Sequence, residues 1–403
     1  MKRSHFLYRS SAAILGSTFI LSKGRSLAPF GGLVDDEKLL TRSVFGERIA
    51  QAQGLMEEQS LDALFMTPST NMSYLMGRKL WRSERLIALI VPQHGLPEAI
   101  CPAFEKSLLE RDIASQYIHV WEEHENPFSL TRDVLKAMGL SNRATIGLEP
   151  TTRYETFERL SYEFPEARLV NASTVFDELR MVKSPVEIRV IRKAAKITEE
   201  SIAAVHALLE EGLTELDVAA MLSNEMRVRG SSGGGLVQFG ANSAIPHGGP
   251  QRKKLKKGMT VLIDAGSRVE GYTSDVTRTI FWGDDPAPKY RQVFSVVLTA
   301  QQAAVSLAKP GVPCQELDRA ARAIVSKAGF GEYFAHRLGH GMGMDVHEHP
   351  YLVEGNSRPL ERGNVVTIEP GIYIPGEFGV RIEDDFALTE SGIEWLSTPV
   401  SGG

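Results

Sequence analysis

The chain has 403 residues, a formal net charge of −5 and 42% hydrophobic residues. This length exceeds one ordinary hydrophobic core, so the composition predicts a soluble protein of two domains. The acidic balance argues against nucleic-acid binding, since the Lys and Arg residues form no long cluster.

The N-terminus has the composition of a targeting segment, because the first 34 residues contain no acidic side chain. Basic residues precede an apolar stretch from Ala12 to Leu21, and Ser26-Leu27-Ala28 offers small residues to a signal peptidase. We predict a signal peptide over residues 1–28 and export to the periplasm or the extracellular space. A mitochondrial transit peptide or a disordered tail on a cytoplasmic protein are the alternatives. The apolar stretch is too short to span a bilayer, and no later segment predicts a membrane span.

From about Phe45 to Ser173 the sequence alternates between helical and strand-like patterns. A helix is predicted over residues 47–59. Six short apolar runs bounded by turn residues predict strands at residues 61–66, 86–91, 98–101, 117–120, 145–148 and 168–170. The pattern is typical of an α/β domain and contains no catalytic cluster of its own.

Near Ser184 the pattern changes, and from there pairs of helices are followed by strands. Ser184-Pro185-Val186-Glu187 is a capping box with proline at the first helical position, and it predicts a helix that runs to about Glu210. A second helix begins near Thr214, and another pair is predicted over residues 289–308 and 314–328. This repetition predicts a pseudo-duplicated α+β unit.

Two aspartates in this half lie in strand-like segments that predict a hairpin. A turn at Val269 and Glu270 would place Asp264 directly opposite Asp275. Residues paired in this way have β-carbons roughly 4.5–5.5 Å apart on one face of a sheet. Two carboxylates at that separation repel each other by about 3–4 kcal/mol at an effective dielectric of about 20, so the pattern indicates a cation between them.

A second predicted hairpin repeats this arrangement with two glutamates. A turn around Gly376 would place Glu369 opposite Glu383. His340 lies between the two hairpins in a glycine-rich segment, which predicts an irregular strand rather than a helix. Four carboxylates and one imidazole are typical of Mn²⁺, Co²⁺, Fe²⁺ or Zn²⁺ sites without thiolates. Five such residues predict two divalent ions about 3.5–4 Å apart.

Three further histidines flank these motifs. His336 precedes His340 by four residues, but the glycines that follow and the absence of a glutamate after His336 argue against a helical HExxH site. His347 follows His340 by seven residues, which in an extended segment would place it on the opposite face of the strand. His247 lies in a predicted turn. Taken alone, each of these three residues also fits an ordinary surface or capped histidine.

The set of motifs resembles the pita-bread metallopeptidases, which include Xaa-Pro dipeptidase (prolidase), aminopeptidase P, methionine aminopeptidase and the metal-free creatinase. The resemblance rests on residues 243–247, 263–266, 272–279, 339–343, 367–371 and 381–384, which occur in the family's order. The preceding α/β segment resembles the creatinase-type N-terminal domain. That segment and His336 favour the Xaa-Pro branch. The resemblance implies an α+β fold, with a pita-bread domain over residues 174–403 and the creatinase-like α/β domain over residues 29–173.

The resemblance also implies roles for individual residues. The implied metal ligands are Asp264, Asp275, His340, Glu369 and Glu383. His247 and His347 are implied near the scissile bond, His336 in the substrate pocket and Arg381 beside the metal site. Since no required position is missing, a metal-free creatinase or an inactive homologue is disfavoured.

These observations predict hydrolysis of the Xaa-Pro bond at the N-terminus of di- or oligopeptides. The attacking group would be a hydroxide that bridges two divalent ions, with Mn²⁺ as the first choice and Co²⁺, Zn²⁺ or Fe²⁺ as alternatives. Glu369 is the candidate for proton transfer, and His247 and His347 for hydrogen bonds to the carbonyl oxygen. Arg381 is expected to orient Asp264 or a substrate carboxylate, and a plain structural salt bridge is the alternative.

The resemblance further implies a homodimer, because the N-terminal domain in this family commonly packs against the partner's active-site mouth. The segment from Trp81 to Arg85 is the candidate contact. Two other functions fit the same sequence: a hydrolase or lyase that uses this metal site on a non-peptide small molecule, and a non-catalytic binding module. The intact set of candidate ligands argues against the binding module.

Overall fold

The computed structural model describes residues 39–400. The predicted signal peptide over residues 1–28 lies outside this range, so export stays a prediction. Within residues 39–400, no helix combines the length and the apolar character that a membrane span requires.

The N-terminal region is built on a six-stranded mixed sheet with the strand order β4-β3-β2-β1-β5-β6. The strands are β1 (Ala63–Met66), β2 (Ala88–Pro92), β3 (Glu98–Pro102), β4 (Ile118–Trp121), β5 (Thr145–Leu148) and β6 (Arg168–Asn171). The helices are α1 (Arg42–Glu58), α2 (Thr70–Met76), α3 (Lys106–Leu109), α4 (Pro127–Ala137), α5 (Tyr154–Glu163) and α6 (Ser173–Met181). All six predicted strands are confirmed.

Side-chain alternation along β1 explains why this sheet is covered on both faces. Leu64 and Met66 enter one buried cluster, whereas Ala63 and Phe65 enter another. Successive side chains of a strand point to opposite faces, so an uninterrupted apolar run of this kind requires a core on each side. Helices supply both cores, which produces the expected α/β layering.

The C-terminal region contains two helix pairs, each packed on an antiparallel sheet. The helices are α7 (Pro185–Ala207), α8 (Glu215–Val228), α9 (Pro288–Leu307) and α10 (Cys314–Lys327). The strands are β7 (Ser232–Phe239), β8 (Met259–Val269), β9 (Tyr272–Thr273), β10 (Val276–Trp282), β11 (Gly339–Gly341), β12 (Glu348–Leu352), β13 (Val365–Ile368), β14 (Gly371–Ile374), β15 (Phe378–Arg381), β16 (Asp384–Thr389) and β17 (Gly392–Trp395). The first pair, α7 and α8, packs on the β10-β8-β7 sheet, and the second pair on the β12-β11-β13-β16-β17 sheet. The predicted pseudo-duplicated α+β unit is confirmed.

A buried ion pair joins the N-terminal region to this α+β unit. The predicted capping box forms at the start of α7, where Glu187 Oε2 accepts hydrogen bonds from the Ser184 backbone N–H and hydroxyl, both at 2.7 Å. The other carboxylate oxygen, Oε1, lies 3.1 Å from Arg48 Nη2 of α1 and accepts from the Tyr272 hydroxyl at 2.6 Å. Arg48 also donates to the Tyr74 carbonyl oxygen at 2.8 Å. One carboxylate therefore links α1, α7 and β9.

Breaking this pair is expected to lower stability strongly. Arg48→Leu leaves the Glu187 carboxylate buried without its cation, and we expect the free energy of unfolding to fall by about 3–5 kcal/mol. Urea titration followed by circular dichroism measures the change. Arg143→Leu is the matched control, since its pair with Glu166 is exposed and is expected to contribute less than about 1 kcal/mol. Equal effects of the two substitutions would contradict a structural role for the buried pair.

The first predicted hairpin forms, but its predicted register is wrong. The turn lies at Glu270 and Gly271, which have φ of 47° and 89°, and Asp264 on β8 pairs with Thr277 on β10 rather than with Asp275. A two-residue turn of this kind needs positive φ at both positions. The alternative turn at Val269 would force a β-branched residue into that conformation, whereas Gly271 adopts it without strain. The shift is two residues, so both aspartates keep the predicted face of the sheet.

The register of the second predicted hairpin is confirmed. Gly371 pairs with Arg381 in the β14–β15 ribbon, and Ile368 pairs with Asp384 in the β13–β16 ladder. The same register on both sides places Glu369 opposite Glu383.

Candidate metal centre

Five predicted metal-binding side chains converge where the two sheets of the C-terminal region meet. They are Asp264 on β8, Asp275 between β9 and β10, His340 on β11, Glu369 directly after β13 and Glu383 directly before β16. An isolated bridge between Thr277 and Glu383 joins the sheets at this point. Candidate ligand atoms lie within 4.8 Å of one another in three overlapping groups: Asp264 with Asp275 and Glu383, His340 with Glu369 and Glu383, and Asp275 with His340 and His347. The structure thus brings all five residues together.

The electrostatics of this cluster favour a bound cation. Burial, followed by repulsion from neighbouring carboxylates, raises the pKa of Asp275 and of Glu383 well above the usual range. Burial and the nearby Asp264 also raise the pKa of Glu369 to about 8. Without a cation, ionising all these groups is unfavourable, whereas divalent ions at the same place would stabilise the charged forms. The donor set therefore fits divalent metal.

The imidazole of His340 is oriented for metal binding by the backbone carbonyl of the next residue. His340 Nδ1 lies 3.1 Å from the Gly341 carbonyl oxygen, so this nitrogen carries the proton and donates it. The unprotonated Nε2 faces Glu369 Oε1 at 3.3 Å and Asp275 Oδ2 at 3.8 Å. Burial lowers the pKa of His340 to about 4, which keeps the ring neutral. Neutral imidazole with its second nitrogen hydrogen-bonded is the usual metal-binding form.

Glycines on both sides of His340 allow the backbone to approach its neighbours closely. A β-carbon at Gly339 would lie 2.0 Å from the Thr367 carbonyl oxygen, and one at Gly341 would lie 2.1 Å from that of His349. No side chain fits at either position without displacing a strand. The irregular strand predicted here is confirmed, with a register shift directly after His340.

Arg381 borders the cluster and contacts one of its carboxylates. Its guanidinium donates to Asp264 Oδ2 through Nη2 and to the Tyr373 hydroxyl at 2.7 Å through Nη1. His336 Nδ1 lies 2.7 Å from the Arg337 carbonyl oxygen, so His336 Nε2 accepts from the Tyr373 hydroxyl at 2.7 Å. The side chain of Arg381 is only 3% exposed. Its position suits orientation of Asp264, and its predicted contact with substrate stays a prediction.

His347 lies beside the cluster, contrary to its predicted orientation. Its ring contacts that of His340 edge to face, with centroids 4.3 Å apart. The prediction that His347 points away from His340 is wrong, because residues 342–347 bend instead of continuing as a strand. Partial desolvation of this otherwise exposed ring, followed by the electrostatic effect of His340, lowers the pKa of His347 to about 4.

His247 lies in the predicted turn, at the edge of the cluster rather than among the grouped ligand atoms. Gln238 Nε2 holds this turn by donating to the Ile245 carbonyl oxygen at 2.9 Å and to that of Gly248 at 3.0 Å. The preceding Pro246 carbonyl oxygen lies 3.5 Å from Arg381 Nη1. The turn that carries the exposed His247 is thus anchored on both sides of that residue.

Comparison with known proteins identifies the family. Residues 189–390 match Metallopeptidase family M24, and residues 48–182 match the Creatinase/Prolidase N-terminal domain. The chain belongs to metallopeptidase family M24. The predicted resemblance and the α+β pita-bread fold are confirmed, whereas the domain boundaries at residues 28 and 173 stay predictions.

Similar proteins cover nearly the whole of this M24 peptidase. Dipeptidase PepE from Mycobacterium ulcerans is 36% identical with a TM-score of 0.83, covering 89% of this chain and 97% of its own. A recombinant prolidase from Thermococcus sibiricus is 35% identical with a TM-score of 0.83, covering 88% and 97%. An uncharacterized peptidase of Staphylococcus aureus is 36% identical over 346 residues, which are 85% of this chain and 96% of that protein.

Two threonines of this M24 peptidase contact the cluster and were missed in the sequence. Thr277 donates to Glu383 Oε2 at 2.6 Å and accepts from Arg381 Nε at 3.2 Å. Thr367 accepts from the His340 backbone N–H at 3.2 Å, and its hydrogen bond to Glu369 lowers the pKa of that carboxyl, against the larger effect of burial. Each threonine stands two residues from a cluster acid in the sequence. Since residues i and i+2 of a strand share a face, this spacing was the available signal.

Proposed function

We propose that this M24 metallopeptidase hydrolyses the bond between an N-terminal residue and proline in di- or oligopeptides. The observation that carries the proposal is the buried cluster of four carboxylates and one neutral imidazole. Asp264, Asp275, His340, Glu369 and Glu383 would hold two divalent ions, for which we propose Mn²⁺. When bound, such ions lower the pKa of a coordinated water and polarise the substrate carbonyl. The similarity to a dipeptidase and a prolidase supports the choice of substrate.

Glu369 is proposed to move the proton during hydrolysis. Its carboxylate lies between His340 Nε2 at 3.3 Å and His336 Nδ1 at 4.0 Å. In the reaction, water oxygen bonds to the carbonyl carbon, the carbon–nitrogen bond breaks, and the proline nitrogen needs a proton. Glu369 would accept the proton released by water and deliver it to that nitrogen.

His247 and His347 are proposed to stabilise the charge that develops on the carbonyl oxygen. The lowered pKa of His347, caused first by partial desolvation of its ring, keeps the ring neutral with one N–H available to donate. Donors that are already oriented stabilise an oxyanion more than they stabilise the ground-state carbonyl.

Selectivity for proline is proposed to arise beside His336 and Tyr373. The bond to proline is a tertiary amide without an N–H. A site that offers no hydrogen-bond acceptor at this nitrogen and only packs against the imino ring therefore accepts proline. The His336 ring contacts the Phe334 ring edge to face, with centroids 5.3 Å apart, and the Tyr373 ring, with centroids 5.4 Å apart. The side chain of His336, which is 18% exposed, lies next to Glu369 and is suited to contact an apolar ring, while the buried Phe334 and Tyr373 rings pack against it.

The test compares the dipeptides Ala-Pro and Ala-Ala, and then the tripeptide Ala-Pro-Ala, on Mn²⁺-loaded protein. We expect kcat/KM for Ala-Pro to exceed that for Ala-Ala by on the order of 10²-fold, the upper range for a pocket contact. The tripeptide separates dipeptidase from aminopeptidase activity. A metal-loaded protein that hydrolyses none of the three would contradict the proposal and would favour a hydrolase or lyase of non-peptide molecules.

We also propose that the protein is a homodimer whose contact includes Trp81. This side chain is 83% exposed, and buried tryptophans commonly contribute about 2 kcal/mol or more to protein interfaces. We expect a dimer by light scattering at micromolar concentration, and a dimer dissociation constant at least about 30-fold higher for Trp81→Ala. Tyr162→Ala is the control, because Tyr162 is 84% exposed on α5. A fully active wild-type monomer would contradict the proposal.

A further inference from the structure

The segment that carries His347 has little regular structure to hold it. Residues 342–347 join β11 to β12 without a helix or strand of their own. Two hydrogen bonds shape the segment internally, from the Gly343 N–H to the Asp345 carbonyl oxygen at 3.1 Å and from the Asp345 N–H to Glu348 Oε1 at 2.8 Å. The start of the segment is also held from the C-terminal region, by the Thr273 N–H at the Gly343 carbonyl oxygen (2.8 Å) and by Arg268 at the Met344 carbonyl oxygen (3.0 Å). The part next to His347 depends further on side chains that contact Asp345 and Glu348.

Those side chains come from the N-terminal region and from the residues that follow it. Asp345 Oδ1 accepts from the Thr70 hydroxyl of α2 at 2.7 Å, and Asp345 Oδ2 accepts from Arg180 Nη2 of α6 at 2.7 Å. The same Arg180 nitrogen donates to Glu348 Oε1, and Lys183 Nζ lies 3.2 Å from Glu348 Oε2. One guanidinium thus holds the two acids on either side of His347.

The arrangement is buried and is itself fixed from behind. The side chains of Arg180, Glu348 and Lys183 are 12%, 7% and 1% exposed. Arg180 Nη1 donates to Asn71 Oδ1 at 2.7 Å, and Asn71 Nδ2 donates to Glu149 Oε1 at 2.9 Å. Solvent screens buried, hydrogen-bonded charges only weakly, so these ion pairs are strong. A displacement of the Arg180 guanidinium would therefore displace residues 345–348 with it.

We infer that Arg180 is a positioning residue that sets the His347 ring beside the metal centre by holding Asp345 and Glu348. The inference rests on the proposed role of His347 in peptide hydrolysis. It gives the N-terminal region a function in catalysis within a single chain, because α2 and α6 supply contacts that define the His347 position.

A nearby ion pair distinguishes positioning from mere attachment of the two regions. Arg358 pairs with Glu178, which also lies on α6, through contacts of 2.8 and 2.7 Å. This pair joins the same helix to the C-terminal region but does not touch residues 342–348. If attachment alone mattered, loss of Arg358 and loss of Arg180 would have the same effect on kcat.

The test is a double-mutant cycle on Mn²⁺-loaded full-length protein with Ala-Pro as substrate. We expect Arg180→Met to lower kcat between about 10-fold and 10²-fold, the effect of a displacement of about 1 Å. KM and metal content should stay unchanged. In the His347→Ala background the same substitution should change kcat less than twofold, because no ring remains to be positioned. Arg358→Met should leave kcat at the wild-type level, and Arg180→Lys should recover part of the loss.

Two further measurements keep the inference open to refutation. Asp345→Ala replaces a half-exposed side chain and should reproduce the loss of kcat even if Arg180→Met does not fold. A crystal structure of either variant should show the His347 ring moved from its contact with His340, a result independent of substrate. Normal kcat in both variants would overturn the inference. Independent effects, in which the fold losses of the single variants multiply in the double variant with His347→Ala, would also overturn it. Either result would leave the proposed function standing. Absence of peptide hydrolysis by the wild type would instead refute the proposed function, and the ring position would then decide the inference.

Discussion

Asp275→Asn and Glu383→Gln are each expected to reduce bound metal and to lower kcat for an Xaa-Pro dipeptide by more than about 10²-fold. Loss of a group that only orients a metal ligand commonly reduces affinity or activity 10–100-fold, so loss of a ligand should exceed this range. Both carboxylates lie within 4.8 Å of other candidate ligand atoms. Elemental analysis and steady-state kinetics on the same preparations measure the two effects together.

The fold of these variants should remain intact. Compared with the wild type, the variants should be at least as stable without metal and less stable with metal. In metal-free protein, each substitution removes a buried carboxyl whose pKa is raised by burial and by its neighbours. The melting temperature of the metal-free variants should therefore equal or exceed that of the metal-free wild type. Metal should stabilise the wild type more, since only the native state holds the site. Glu377→Gln, at an exposed acid paired with Lys289, is the control, and normal metal stoichiometry and activity in both cluster variants would refute the two-metal interpretation.

His347→Ala is expected to lower kcat by roughly 10²–10³-fold, equivalent to about 2.7–4 kcal/mol of transition-state stabilisation. Metal content should be unchanged, because we assign His347 to the substrate carbonyl rather than to the metal. Kinetics with Ala-Pro and elemental analysis check the two statements separately. His349→Ala is the matched control, since this half-exposed histidine lies two residues further along the chain and faces Asp177.

Two other outcomes for His347→Ala would each change its assignment. A variant that loses its metal would make His347 a ligand, as its grouping with Asp275 and His340 permits. A variant with normal metal content and wild-type kcat would make His347 an ordinary surface histidine.

Local patterns in the sequence predicted the elements that carry the site. Apolar runs ended by turn residues located the strands, and the capping box located the start of α7. The register around Gly376 followed from one glycine at φ 77° in a short hairpin. The register around Glu270 was mispredicted although the sequence held the signal, since Gly271 suits a turn position with positive φ and the β-branched Val269 does not.

Contacts between distant segments were not predictable from one sequence. The orientation of His347 depends on a bend in residues 342–347, and that bend depends on Arg180, 165 residues away from Asp345. Spacing carries information about neighbours within a helix or strand, but not about which arginine of one region meets which acid of another. Thr277 was predictable in part. Its position two residues after Asp275 places it on the correct face, but its contact with Glu383 exists only because two sheets meet there.

The most direct test is a metal titration in which bound ions and initial rate of Ala-Pro hydrolysis are measured on the same samples. Metal-stripped protein should be inactive, and activity should return with Mn²⁺ as occupancy approaches two ions per chain. Asp275→Asn should recover neither occupancy nor rate. Full activity of the metal-free protein, or no hydrolysis of Ala-Pro at full occupancy, would contradict a metal-dependent Xaa-Pro peptidase.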